Sequence, residues 1–379
     1  MNSGFLTRTE IEEKEQAQLA TYACLSSESK GRKYNQAEHP LRTAFQRDRD
    51  RIIHSSAFRR LEYKTQVFIP HERDHYRTRL THTIEVAQIT RTIARNLRLN
   101  EDLAEAIALS HDLGHTPFGH SGEDVLSELL GAIGGFNHNL QSLRVIDILE
   151  ERYADHPGLN LSFEVREGII KHATGARIVS EEFDPHLNPT MEASLVDIVD
   201  EITYNSHDID DGLSSGIINF KQIKESDFWN TLKSSSNVIL NDKDQYARHN
   251  LARFLIDFVV TDLIKQTAKK LNELSISSLN DVRKSNERIY TQSDEVALCI
   301  KQLKSFLKRN LYKHSKMVSM TDWAKEIIEK LFGEISKDNS LMPERYRKML
   351  NDEKQEIVVA DYIAGMTDRF AIGMYDQFS

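Results

Sequence analysis

The stretch HDLGHTPFGHSGED, from His111 to Asp124, gathers three histidines, three acidic residues, three glycines and a proline. Charged groups are costly to bury unless they are paired or hold a metal, so a core helix would not be composed this way and the stretch reads as a site. His111 and Asp112 set an imidazole beside a carboxylate at the end of an apolar helical pattern, where both can reach one cation. His82 lies near the start of the preceding helical pattern, and Asp200 lies on a later acidic one. Two imidazoles and two carboxylates form a mixed nitrogen and oxygen set that suits Mn, Fe, Ni, Zn or, less naturally, Mg. Singly, each of these residues is ordinary on a surface or in a core. Their polar neighbours at helical spacing are what single them out.

Arg79 precedes His82 by one helical turn and projects beside it, and a guanidinium can grip phosphate oxygens through two parallel hydrogen bonds. Asp200, Tyr204 and Asp208 recur every fourth residue and share a helix face. Asp197, one turn earlier, points nearly the same way and is a rival to Asp200 as a ligand. His115 follows His111 by a turn, and His120 pairs with Glu123 after the turn set by TPFG. A histidine oriented by a carboxylate can serve as general acid or base near neutral pH. The segment GGFNHNLQSL brings His138 and Gln141 to a helix through glycines, compatible with a turn or a site.

The elements that must position these groups read as helices. THTIEVAQITRTIARNL and EDLAEAIALSHDLG place apolar residues at three- and four-residue intervals, and SLRVIDILEERY, FEVREGIIKHAT and MEASLVDIVDEITYNSHDIDDGL continue the period between the breakers HPG and DPHLNP. The spacing predicts further helices near 246–273, 291–312 and 321–335, and no strand-period run is long enough to anchor a sheet. The expected architecture is all-α: an N-terminal helix and tether over 1–40, a core over 41–212, and a helical C-terminal region over 213–379 packing on that core.

In 379 residues, 39% hydrophobic and 28% charged with only 7 prolines, the composition is that of a helix-rich globular protein. The net charge of −9 argues against general affinity for polyanions, yet Arg42 to Arg79 holds ten Arg and Lys against five Asp and Glu. A positive district in an acidic chain points to a local anionic ligand. Cys24 and Cys299 lack metal-type spacing and are too few for a disulfide framework, which favours a reducing cytoplasm. The N-terminus has no apolar run after a basic start, and FLIDFVVTDLI is broken by Asp257 and Asp262, so neither export nor a membrane span is expected.

With these residues in place, the chain resembles the HD-superfamily metal phosphohydrolases and, within them, the deoxyguanosine triphosphate triphosphohydrolase family. The superfamily pattern of His, His-Asp and Asp is matched by His82, His111, Asp112 and Asp200. The narrower likeness rests on FQRDRDRIIHSSAFRRLEYKTQVF, RTRLTHTIEVAQI, HDLGHTPFGHSGED, FNHNLQSLR, DEITYNSHDIDDGL and ADYIAGMTDRFA, spread from Phe45 to Ala371. Residues 213 to 355 carry fewer such strings.

The resemblance implies an all-α HD-domain helical bundle that hydrolyses deoxynucleoside triphosphates to deoxynucleoside and inorganic tripolyphosphate, with base preference open. It implies His82, His111, Asp112 and Asp200 as ligands of a divalent metal, and His120 with Glu123 as the catalytic pair with His138 nearby. Arg79, Tyr204 and Asp208 would contact phosphates and sugar, Gln66 the sugar or base, and His115 a phosphate or the acid–base network. Asn137 stands where family members usually carry an acidic residue. The family further implies a homo-oligomer and, in some relatives, a nucleotide effector, while single-stranded DNA as a partner could coexist with hydrolysis. Two other readings stand beside this one. The first is an HD phosphohydrolase of another nucleotide or phosphoester, although the basic segment offers more charge than one phosphate needs. The second is a nucleic-acid-binding regulator, whose affinity would fall steeply with salt.

Overall fold

In a computed structural model, residues 4–68, 77–172, 182–236, 238, 241 and 244–378 are described, so part of the basic segment (69–76) lies outside the described residues. The described chain is all-α, with 18 α-helices, short 3-10 and π turns, and two isolated β-bridges in place of a sheet. No described helix is long and apolar enough to cross a membrane.

The helices form two units, each assembled from separated stretches. The first comprises Met1–Arg49, Glu85–Ala108 and Ser162–Met317. At its centre runs the Met191–Ser215 helix, started by the Thr190 side chain accepting from the Ala193 amide and stopped by Gly216 in the left-handed region at φ 76°. It packs on the Phe163–Ile170, Ala247–Glu273 and Asp294–Leu307 helices. Buried Glu192 accepts hydrogen bonds from the Cys24 amide at 2.9 Å and the Asn100 amide at 3.1 Å, pinning the N-terminal segment to this helix. Buried Glu167 holds Arg283 through two bonds of 2.6 and 2.7 Å.

The second unit comprises Asp50–Ile84, Leu109–Leu161 and Val318–Ser379. Along the Ser315–Lys337 helix, Ala324, Ile327, Ile328, Leu331 and Ile335 form one apolar stripe, the pattern of a helix with a single buried face. That stripe packs with Leu126 of the His120–Leu129 helix and with Val358, Val359 and Ile363 of the Gln355–Ala364 helix. Buried Glu150 caps the Ser56–Arg60 helix, accepting from the Ser56 and Ala57 amides at 2.9 and 2.7 Å. A carboxylate at a helix N-terminus satisfies orphan donors and meets the positive end of the dipole.

The region SLRVIDILEERY departs from the expected continuous helix. A helix over His138–Arg144 gives way to a π turn over Val145–Leu149 and ends there. The Ile146 carbonyl is taken by the Leu159 amide at 2.6 Å, and Gly158 passes so close that a Cβ would stand 2.4 Å from it. The returning loop takes the place of the next helical turn.

Candidate metal and phosphohydrolase site

The Arg79–Asn96 helix opens with Arg79 and His82, both almost fully buried in its first turn. The Glu101–Ser110 helix ends where His111, Asp112 and Gly114 turn the chain. Gly114 is required by close approach, since a Cβ would lie 2.2 Å from the Ser142 backbone nitrogen and 2.3 Å from the His138 carbonyl. The Ser142 hydroxyl accepts from the Gly114 amide at 2.8 Å and donates to the His111 carbonyl at 3.0 Å, so the turn is fixed from the His138–Arg144 helix.

These constraints bring His82 and His111 edge to face, with ring centroids 5.9 Å apart and a nitrogen of each within 4.8 Å of the other. Asp112 Oδ1 lies 3.4 Å from His111 Nε2 and 3.1 Å from His115 Nε2, while Oδ2 accepts from Arg79 at 3.1 Å. Burial alone would raise the Asp112 carboxyl, but His111, Arg79 and His115 hold it well below the usual carboxylate range. Two imidazoles and an ionised carboxylate, all buried, have the donor chemistry of a divalent metal site.

A second cluster adjoins the first through His115. The His115 ring stacks on that of His138, with centroids 4.0 Å apart. Glu123 accepts from the His138 amide and meets its Nδ1, both at 2.9 Å; His120 Nδ1 stands 3.6 Å and His115 Nδ1 4.0 Å from the same carboxylate. Burial would raise the Glu123 carboxyl, but hydrogen bonding to His120 and His138 drives it far below its ordinary value. Burial, with the charges of Arg79 and His138 adding to it, pushes the His115 imidazole well down, so it is neutral. His120 differs from the rest, its side chain being 63% exposed. Asn137 caps the His138–Arg144 helix, accepting from the Asn139 and Leu140 amides at 3.0 and 3.2 Å, a role that asparagine and aspartate fill equally well. Buried Gln66 has an Oε1 with no hydrogen-bond partner among the described residues.

The second unit thus holds Gln66, Arg79, His82, His111, Asp112, His115, His120, Glu123 and His138. Asp200, Tyr204 and Asp208 belong to the first unit, on the Met191–Ser215 helix. There His172 pairs closely with Asp197 and stands 3.9 Å from Asp200. Asp208, fully buried, accepts from the Tyr312 hydroxyl, whose ring lies over that of Tyr204 at 6.3 Å. His172 and Tyr312 were not expected from the sequence, where each is a lone residue outside any motif.

Residues 79–205 match the HD domain, and residues 290–377 match the phosphohydrolase-associated domain. Deoxyguanosinetriphosphate triphosphohydrolase-like proteins are similar over nearly the whole chain. The Geobacter metallireducens protein is 48% identical across 96% of this chain and 95% of its own. The Geobacter sulfurreducens protein is 49% identical over the same shares. The chain belongs to the deoxyguanosinetriphosphate triphosphohydrolase-like family. The family match thus extends past the HD domain into the C-terminal helices. A crystal structure of a hypothetical protein from Aquifex aeolicus aligns over 82% of this chain and 79% of its own at 20% identity, with a TM-score of 0.32, too distant a likeness to carry an argument. The HD-domain match makes the chain an HD-type phosphohydrolase, with His and Asp groups that could hold a divalent metal.

Proposed function

We propose that the protein is a metal-dependent deoxynucleoside triphosphate triphosphohydrolase, converting a dNTP and water to deoxynucleoside and inorganic tripolyphosphate. The observation that carries the reading is the chain of contacts from buried Arg79 through Asp112 and His115 to the half-buried His138–Glu123 pair, which supports a guanidinium for phosphates beside an acid–base cluster.

His82, His111 and Asp112 would hold the metal. Asp200 is proposed as the fourth ligand on the strength of the His, His-Asp, Asp sequence pattern. When bound, the cation lowers the pKa of a water from about 15.7 towards 7 in the best cases and polarises the phosphoryl group.

The remaining work falls to the side chains. Arg79 supplies fixed positive charge to the phosphates, and preorganised charge of this kind is often the largest contribution to catalysis. His115 belongs to the acid–base network, its Nε2 held by the Asp112 carboxylate and its ring stacked on His138. As water attacks the α-phosphorus, the bond from phosphorus to the sugar 5′-oxygen breaks, and exposed His120, oriented by Glu123, delivers a proton to the departing oxygen. Gln66 lies against the sugar or base, with Tyr204 and Asp208 on sugar and phosphates.

The test is incubation of the full chain with Mn and each dNTP, alone and mixed, with chromatography of the products. Deoxynucleoside with tripolyphosphate is expected, and the mixture reports any activation of one nucleotide by another. Monophosphate with pyrophosphate would keep the metal site and overturn the attack geometry.

A further inference from the structure

The motif ADYIAGMTDRFA has no part in the steps above, yet two of its residues reach the machinery. Asp368, 1% exposed, accepts from the Thr65 amide at 2.8 Å, the Phe118 amide at 3.0 Å and the Thr65 hydroxyl. The Ala364 carbonyl accepts from Nζ of buried Lys64 at 2.8 Å, and the same nitrogen donates to the His115 carbonyl. The Lys64 carbonyl in turn accepts from the Arg79 amide at 3.1 Å.

These bonds join two segments. One runs from Lys64 through Gln66 and pairs with the start of the Arg79 helix. The other is the loop from His115 to His120. That loop is strained at Phe118, whose φ of 61° is one that a bulky side chain rarely adopts, just ahead of Gly119 at 60°. A non-glycine residue persists in that region only where its surroundings over-determine it, and the Asp368 carboxylate on the Phe118 amide is such a constraint. The two segments also touch directly, since a Cβ on Gly119 would stand 3.0 Å from the Arg79 guanidinium and 3.5 Å from the Thr65 carbonyl.

We infer that Lys64 and Asp368 form a brace through which the C-terminal helices position Gln66 and Arg79 against the loop of His115 and His120, and so set substrate KM. Lys64 and Asp368 are positioning residues, and the inference rests on the triphosphohydrolase reading for its substrate. Buried polar groups used only as structural glue would change the fraction of folded enzyme; groups that place a binding residue change KM.

The full chain with Mn, as wild type, Thr65→Val, Asp368→Asn and Lys64→Met, is compared on dGTP, and amide exchange is followed at Thr65 and Phe118. Thr65→Val removes one hydroxyl at constant shape and keeps the test open if the other variants fold poorly. Expected are kcat/KM losses on the order of 10- to 100-fold, carried largely by KM. The Phe118 and Thr65 amides should exchange faster in Asp368→Asn. Wild-type KM with kcat scaled only to the folded fraction, or unchanged exchange at both amides, overturns the brace. If wild type hydrolyses no dNTP, the substrate reading fails separately, and amide exchange alone decides.

Discussion

His115 and His138 stack with their planes 14° from parallel, and Glu123 bonds to the second of them through both the backbone amide and the ring. One carboxylate thereby fixes the orientation of a stacked imidazole pair and stands 3.6 Å from the exposed His120. The acid–base cluster is a carboxylate serving three histidines rather than a single dyad.

Glu123→Gln should therefore disturb His138 as well as His120. Turnover is expected to fall by about 100- to 10,000-fold, the range for loss of general acid–base assistance, with bound metal unchanged by elemental analysis. The native carboxyl is held far below its ordinary 4.5, so its stabilisation is present above that pH and is lost as the pH falls below it. Wild type should lose up to about 1.4 kcal/mol of stability per pH unit there from this group, and the variant should not, as acid-titrated denaturant unfolding will show.

Asp200 and Asp197 are separable by metal content. Asp197 pairs closely with His172, so Asp197→Asn should retain bound Mn and lose some thermal stability. Asp200→Asn should lose Mn with its helical circular dichroism intact. The reverse pattern would transfer the ligand role to Asp197.

Lys64 gives a signature at the other end of the pH scale. Burial, with Arg60 and Arg79 nearby, pushes its ammonium from 10.5 down to about 7. Between those values the unfolded chain binds the extra proton, so stability rises with pH from 7 to 10.5 and falls as the pH drops through the same window. Lys64→Met should flatten that rise in unfolding free energy, and an unchanged slope would assign it to other groups.

Gly114→Ala places a methyl group where the Ser142 backbone nitrogen lies, and backbone yields poorly. The turn must shift, moving His111 and Asp112 together. Metal binding and turnover should both be lost in this variant, while Gly131→Ala, where a Cβ meets nothing within 4 Å, should be indistinguishable from wild type on both measurements.

The long helices were legible because their apolar spacing survives in the structure: the Arg79–Asn96, Met191–Ser215 and Ala247–Glu273 helices all fall where the period placed them. The HD loop was legible because three histidines and three acidic residues within fourteen positions are too polar a run for a core helix. SLRVIDILEERY misled because the competitor for its backbone, the loop at Gly158, acts through main-chain hydrogen bonds that leave no periodic trace. Tyr312 and His172 escaped because each meets its partners, Asp208 and Asp197 among them, only through the tertiary fold and not within its own segment. Asp368 lay within a visible motif, but its role depends on Thr65 and Phe118, some 300 and 250 positions away.

The Glu192 carboxylate that receives the Cys24 amide also lies close enough to its thiol to matter. Burial first, and then Glu192 and Glu164, push the Cys24 thiol well above its ordinary value, so the reactive thiolate is withheld while the segment stays docked. Cys24 is thus a native reporter: its rate of alkylation in the resting protein counts how often the N-terminal segment comes away from the Met191–Ser215 helix.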